Sequence, residues 1–211
     1  MKPDKLRVTE IFYSIQGEST HAGRPCVFVR LSRCNLRCNW CDTEYSFKGG
    51  DKRSLDEILE RVDSYGCKLV EITGGEPLLQ PGVFPLMTQL CDRGYEVLVE
   101  TSGSIDIEPV DDRVGVIMDL KAPGSGEVEK NRWENLAHLS DGDEVKIVLL
   151  DRGDFEWAVK VCRERDLFER GPVHFSPVHG ELNAQTLANW ILEERLPVRL
   201  NLQIHKYLGV E

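Results

Sequence analysis

Short runs rich in β-branched residues alternate along this chain with stretches whose apolar residues recur at helical spacing. That alternation restricts the fold more than any other feature, because it is the signature of βα units laid over a parallel sheet. The strand candidates are residues 27–31, 69–72, 96–100, 114–118, 145–150, 173–175 and 198–202. Between them, Leu55, Ile58, Leu59 and Val62 repeat at i, i+3, i+4, i+7, with Ser54 and Glu57 at capping-box spacing before them and Gly66 after them. The same period recurs in Val83, Leu86, Met87 and Leu90, in Phe155, Ala158, Val159 and Cys162, and in Ala184, Leu187, Ala188, Ile191 and Leu192, so each stripe is expected to pack on the sheet. Residues 102–143 are irregular and read as a long loop or a degraded βα unit, with helix expected only around 133–139. Seven strands and four clear helices fall short of a complete eightfold barrel, which needs roughly 250 residues. The expectation is an α/β fold forming a partial, open barrel of mostly parallel strands.

A chain of 211 residues suits one domain spanning 1–211. The 26 Lys and Arg against 36 Asp and Glu give a net charge of −10, which opposes binding to a polyphosphate. Nucleic acid is therefore not expected as a partner. The apolar segments are too short for a membrane span, and MKPDKLRVTE lacks the apolar stretch of a signal peptide, so a cytoplasmic location is expected.

In that setting a tight group of cysteines reads as metal binding rather than as disulfides. Of the seven cysteines only Cys34, Cys38 and Cys41 are clustered, in a loop spanning 32–47 directly after the first strand candidate. Closed zinc and iron–sulfur sites have four protein ligands, and no fourth cysteine or histidine follows nearby. A zinc site completed by the distant His21, Cys67 or Cys91 is one alternative on spacing alone. The other is a cubane with one corner left open for a small molecule. Cys26, Cys67, Cys91 and Cys162 lie on strands, on apolar helix faces or at element ends, where such residues act as small hydrophobes.

The spacing Cys-x3-Cys-x2-Cys resembles that of the radical S-adenosylmethionine superfamily. Thr73-Gly74-Gly75-Glu76-Pro77, which follows the next strand candidate, is similar to the superfamily's GGEP motif. That resemblance implies a [4Fe–4S] cluster on the three cysteines whose fourth iron binds S-adenosylmethionine. Cleavage of the S–C5′ bond then yields a 5′-deoxyadenosyl radical, with the protein supplying position and exclusion of water.

Three further segments narrow the match: residues 12–19 (Phe-Tyr-Ser-Ile-Gln-Gly-Glu-Ser), Phe28-Val29-Arg30-Leu31 with Cys41-Asp42-Thr43, and residues 201–208 (Asn-Leu-Gln-Ile-His-Lys-Tyr-Leu). Together they resemble the 7-carboxy-7-deazaguanine synthase family, from about residue 9 to the end. The resemblance implies contraction of 6-carboxy-5,6,7,8-tetrahydropterin to 7-carboxy-7-deazaguanine with loss of ammonia, S-adenosylmethionine being regenerated and Mg2+ gripping the substrate carboxylate. Carried over by position, it places Ile15, Gln16, Gly17, Glu18, Arg30, Thr73 and the terminal Glu211 at the substrate, and Thr43 at Mg2+. It places Trp40, Asp42, Gly75, Glu76, Asp119, Leu120, Lys121, Ser176, Pro177, Val178 and His179 at S-adenosylmethionine. Independently of the family, Thr101 and Ser102 follow a strand candidate and so are expected at the same mouth, near the cofactor's ribose or carboxylate. His205 and Lys206 are expected near the end of the final strand, as substrate-side residues. The family also implies a homodimer and a flavodoxin- or ferredoxin-type electron donor. A glycyl-radical activating enzyme, which shares the cluster loop but acts on a protein, and a non-catalytic zinc module are the competing readings.

Overall fold

The computed structural model describes residues 5–210, so the expected substrate contact at Glu211 lies outside the described residues. Nine strands lie in one sheet among the described residues: β1 (Lys5–Ile15), β2 (Pro25–Leu31), β3 (Asp51–Ser54), β4 (Leu69–Gly74), β5 (Glu96–Thr101), β6 (Gly115–Lys121), β7 (Glu144–Leu149), β8 (Val173–Pro177) and β9 (Arg199–Leu200). Their order is β3-β1-β2-β4-β5-β6-β7-β8-β9. From β2 to β9 every pair is parallel, while β1 runs antiparallel to both β2 and β3. The sheet therefore has two free edges, as an open barrel must.

Of the helices α1 (Leu55–Asp63), α2 (Val83–Asp92), α3 (Arg152–Glu164) and α4 (Ala184–Glu193), all but α2 start where the sequence supplies a side-chain cap. Ser54 Oγ accepts from Glu57 N at 3.2 Å while Glu57 accepts from Ser54 N at 2.6 Å, closing a reciprocal capping box. Asp151 and Asn183 cap α3 and α4 through Asp154 N at 3.0 Å and Gln185 N at 2.9 Å.

Strand residues alternate between two faces. Val27, Val29 and Leu31, Val70 and Ile72, Val97 and Val99, Val116, Met118 and Leu120, and Val145, Ile147 and Leu149 point toward the helices and form the main core. The opposite face lines the barrel. At its closed end Cys26, Phe28, Leu69, Leu98 and Ile117 make a smaller apolar plug with Phe12 against it, the Phe12 and Phe28 rings stacked at 4.9 Å.

Several elements depart from the sequence expectation. β1 and β3 are absent from the strand candidates, because the Lys/Arg/Asp content of these two strands hides their pairing. The final strand shrinks from 198–202 to two residues, and His205 and Lys206 sit not at its end but in a short helix, α5 (Ile204–Leu208). Leu192, expected on a packed stripe, is 72% exposed. α4 lies at the sheet edge over β9, where only the narrow stripe of Leu187 and Ile191 is covered, and Trp190 packs sideways on Phe155 at 5.4 Å. Residues 102–143 hold β6 and three short 3-10 turns, one of them at Trp133–Ala137. Among the described residues no helix is long and apolar enough to cross a membrane.

Candidate active site

The barrel's open end holds a cavity of about 950 Å³ lined by residues from both ends of the chain. Its rim is the C-terminal ends of the parallel strands, where barrels of this class keep their chemistry. Cys34, Cys38 and Cys41 all border it, on a loop that leaves β2 and is pinned by Asn39 N to Ser125 O at 3.0 Å and Asn39 Nδ2 to Gly124 O at 2.9 Å. All three thiols are free of disulfides. Burial pushes the Cys34 and Cys38 thiols above their ordinary range; Lys121 opposes this in both. Cys67 and Cys91, the distant ligands a zinc site would need, do not border this cavity, and His21 instead contacts Arg24 and Glu96.

The turn after β4 presses against the cysteine loop. Gly75 N donates to Leu31 O at 3.1 Å and Glu76 N to Arg33 O at 2.8 Å. A Cβ on Gly75 would collide with the Arg33 carbonyl and the Cys34 side chain, so only glycine permits this approach. The Glu76 side chain does not reach the cavity: it is fully buried and accepts from Leu78 N, Thr101 Oγ1, Ser102 N and Ser102 Oγ at 2.6–3.0 Å. Thr101 and Ser102 therefore turn their hydroxyls to Glu76. Burial raises the Glu76 carboxyl against the lowering effect of these bonds. Leu120 also lies away from the cavity, in the main core. Trp40, Asp42, Thr43, Gly75, Asp119, Lys121, Ser176, Pro177, Val178 and His179 border it, as do Ile15, Gln16, Gly17, Glu18, Arg30 and Thr73.

The floor is charged and largely buried. Lys146, 5% exposed, binds Glu18 at 2.9 Å, pairs with Glu100, and lies 3.7 Å from Asp119. Burial disfavours its charge, but Glu100, Glu18 and Asp119 together raise its pKa well above the ordinary value. Glu18 is half-buried, and although desolvation opposes its charge, Lys146 and a hydrogen bond from Gln203 at 3.0 Å hold it below the usual carboxylate range. Lys121 reaches Asp119 Oδ2 at 3.0 Å. On the wall, Arg30 donates to Glu10 at 2.8 Å and lies against Phe12 and Tyr45.

The loop between β1 and β2 and the C-terminal segment meet across the open side of the barrel. Ile204 N donates to Gly17 O at 3.0 Å, Ser19 N to Asn201 Oδ1 at 3.1 Å, and Lys206 Nζ to Asp42 Oδ2 at 2.6 Å. A Cβ on Gly17 would strike the His205 ring, which packs directly over it.

Residues 29–121 match the model of the radical SAM superfamily. The chain is 46% identical to 7-carboxy-7-deazaguanine synthase of Chlorobaculum tepidum over 96% of this chain and 94% of that protein. It is 47% identical to the Koribacter versatilis protein of the same name, over 96% of each.

The chain belongs to the 7-carboxy-7-deazaguanine synthase family.

The crystal structure of QueE from Escherichia coli shares the fold of this family member, with a TM-score of 0.78 at 20% identity over 94% of this chain and 93% of that one. Radical SAM membership brings a [4Fe–4S] cluster and S-adenosylmethionine, and the residues present fit both. Three unpaired thiols border one cavity and leave a fourth corner to a ligand. Beside them the buried Asp119 Oδ1 has no hydrogen-bond partner, an acceptor suited to an ammonium or hydroxyl group. In this synthase-family chain the sequence reading missed Glu71, Glu100 and Lys146, which also line the cavity. The signal was there: each is a charge set between β-branched neighbours inside a strand, as in Val70-Glu71-Ile72 and Val145-Lys146-Ile147.

Proposed function

We propose that this protein converts 6-carboxy-5,6,7,8-tetrahydropterin into 7-carboxy-7-deazaguanine with release of ammonia, as a lyase of 7-deazapurine (queuosine) biosynthesis. The observation that carries the reading is one cavity in which three free thiols face Gln16, Arg30 and Thr73 across a buried polar floor. Cluster and S-adenosylmethionine together supply one-electron chemistry ending in hydrogen abstraction from a substrate carbon.

The protein's own residues bind and orient. Arg30, fixed by Glu10 and two aromatic rings, offers its remaining guanidinium N–H groups to the substrate carboxylate. Thr43, whose Oγ1 lies 3.7 Å from Cys41 Sγ, would supply a hydroxyl ligand to Mg2+, whose chemistry would be to neutralise the substrate carboxylate. Gln16, Glu18 and Thr73 address the heterocycle, and Asp119 and Lys121 border the S-adenosylmethionine side. The Lys206 contact with Asp42 and the His205 ring over Gly17 brace one side of the cavity's mouth. Residues 1–211 act as a single domain in the cytoplasm, as a homodimer reduced by a flavodoxin- or ferredoxin-type donor.

The test is anaerobic incubation of the reconstituted, reduced protein with S-adenosylmethionine and 6-carboxytetrahydropterin. Mass spectrometry should show 7-carboxy-7-deazaguanine, with turnover rising when Mg2+ is added. Absence of product, with 5′-deoxyadenosine released only on addition of a protein partner, would overturn the reading in favour of an activating enzyme.

A further inference from the structure

Glu71 stands in the middle of β4, with Val70 and Ile72 turned outward into the main core, so its carboxyl points into the barrel. It is 3% exposed and borders the cavity beneath Gln16, itself 4% exposed. Gln16 Nε2 donates to Glu71 Oε2, and Gln16 Oε1 accepts from Glu18 N at 2.9 Å. The Gln16 backbone is also clamped, N to Arg24 O and O to Gly23 N, both at 2.8 Å. A primary amide has two donors and one oxygen acceptor. Glu71 and Glu18 N engage one donor and the oxygen, so the amide plane is fixed and one N–H and one lone pair are left for the cavity. A flipped amide would set donor against donor at Glu18 N, so that contact fixes which end of the amide meets Glu71.

We propose that Glu71 is a positioning residue for the substrate: its carboxyl group fixes the Gln16 amide and so selects the hydrogen-bonding edge of the heterocycle that the cavity accepts. This rests on the ring-contraction reading above. Burial and the nearby Glu100 and Glu18 raise the Glu71 pKa well above the ordinary carboxyl value, which favours the neutral acid, whose carbonyl accepts from Gln16. Glutamine should therefore replace it, and leucine should not.

The test compares reconstituted holoenzymes carrying Glu71→Leu, Glu71→Gln, Gln16→Ala and the pair Gln16→Ala with Glu71→Leu. Loss of one buried, oriented hydrogen bond should raise KM for 6-carboxytetrahydropterin about 10-fold or more in Glu71→Leu, with kcat within about threefold. Glu71→Gln should return KM to within about threefold of the original, the rescue expected of an isosteric acceptor. In the Gln16→Ala background, Glu71→Leu should add less than about twofold, because both changes disable one device. Unchanged KM in Glu71→Leu, or the same factor reappearing without Gln16, would overturn the assignment. Iron content and melting temperature report folding; if Glu71→Leu does not take up iron, Glu71→Met carries the same comparison. If the unmutated protein makes no product, the proposed reaction fails. Calorimetric binding of the oxidised analogue 6-carboxypterin then decides Glu71 separately, through the same rank order in Kd; no such order, or no binding, overturns it.

Discussion

The two faces of the sheet are made by the same strands and obey opposite rules. Outward residues such as Val70, Ile72, Val99, Val145 and Ile147 are apolar and covered by helices. Their immediate neighbours Glu71, Glu100 and Lys146 carry ionisable groups into the barrel, Glu71 and Lys146 with almost as little solvent and Glu100 half-buried. On the outer face energy comes from area removed from water and depends little on orientation. On the inner face each charge is tolerable only because named partners surround it, so geometry decides everything. Stability and chemistry thus occupy alternate residues of one strand, and neighbouring substitutions should separate them.

Lys146 and Ile147 make the widest separation. Lys146→Met leaves Glu18, Glu100 and Asp119 without their shared cation. Breaking a buried charge network in this way costs about 3–5 kcal/mol, and kcat/KM should fall at least about 100-fold because the charged floor is no longer preorganised. Ile147→Ala, one residue away and fully buried, should cost about 2–4 kcal/mol through lost transfer energy and a cavity. Its kcat/KM, measured per folded, iron-loaded molecule, should change less than about threefold, since Ile147 touches only the outer core. Thermal melts and steady-state kinetics on both holoenzymes check the pair. Equal losses of activity would show that the faces are not independent.

The same alternation explains what could be read in advance. The outer face was legible because continuous β-branched runs and helical stripes reflect burial alone, and β2, β4 to β8 and α1 to α4 appear where those patterns lie. The cysteine loop and the Gly-Gly turn were legible because their spacing answers to a cluster rather than to the rest of the fold. Glu71 and Lys146 were hidden because a charge inside a β-branched run gives no hint of its partner, which lies 55 residues away for Glu71 and 128 for the Glu18 partner of Lys146. β1 was hidden for a related reason: it lies one strand in from the sheet edge, between β2 and β3, where polar residues are allowed. The placement of α5 over Gly17 depends on contacts between chain ends, which no local pattern records.

The last comparison concerns pH, where the effect is at most about 1.4 kcal/mol per unit, and it separates the faces without kinetics. Burial first, then Glu100 and Glu18, raise the Glu71 pKa well above its ordinary 4.5. The native state therefore keeps a proton that the unfolded chain releases above that value. The stability this group contributes is complete below about pH 4.5 and is lost as pH rises toward the native pKa, at up to about 1.4 kcal/mol per pH unit. Glutamine does not titrate, so the stability of Glu71→Gln relative to the original protein should improve steadily from about pH 5 to 8, by that slope or less. Ile72→Val, on the outer face of the same strand, should show a deficit of about 1 kcal/mol that does not change with pH. Melts of the three proteins across that range decide it. A pH-independent difference for Glu71→Gln would mean that the inner face holds Glu71 ionised, with Lys146 compensating a fourth carboxylate beside Glu18, Glu100 and Asp119.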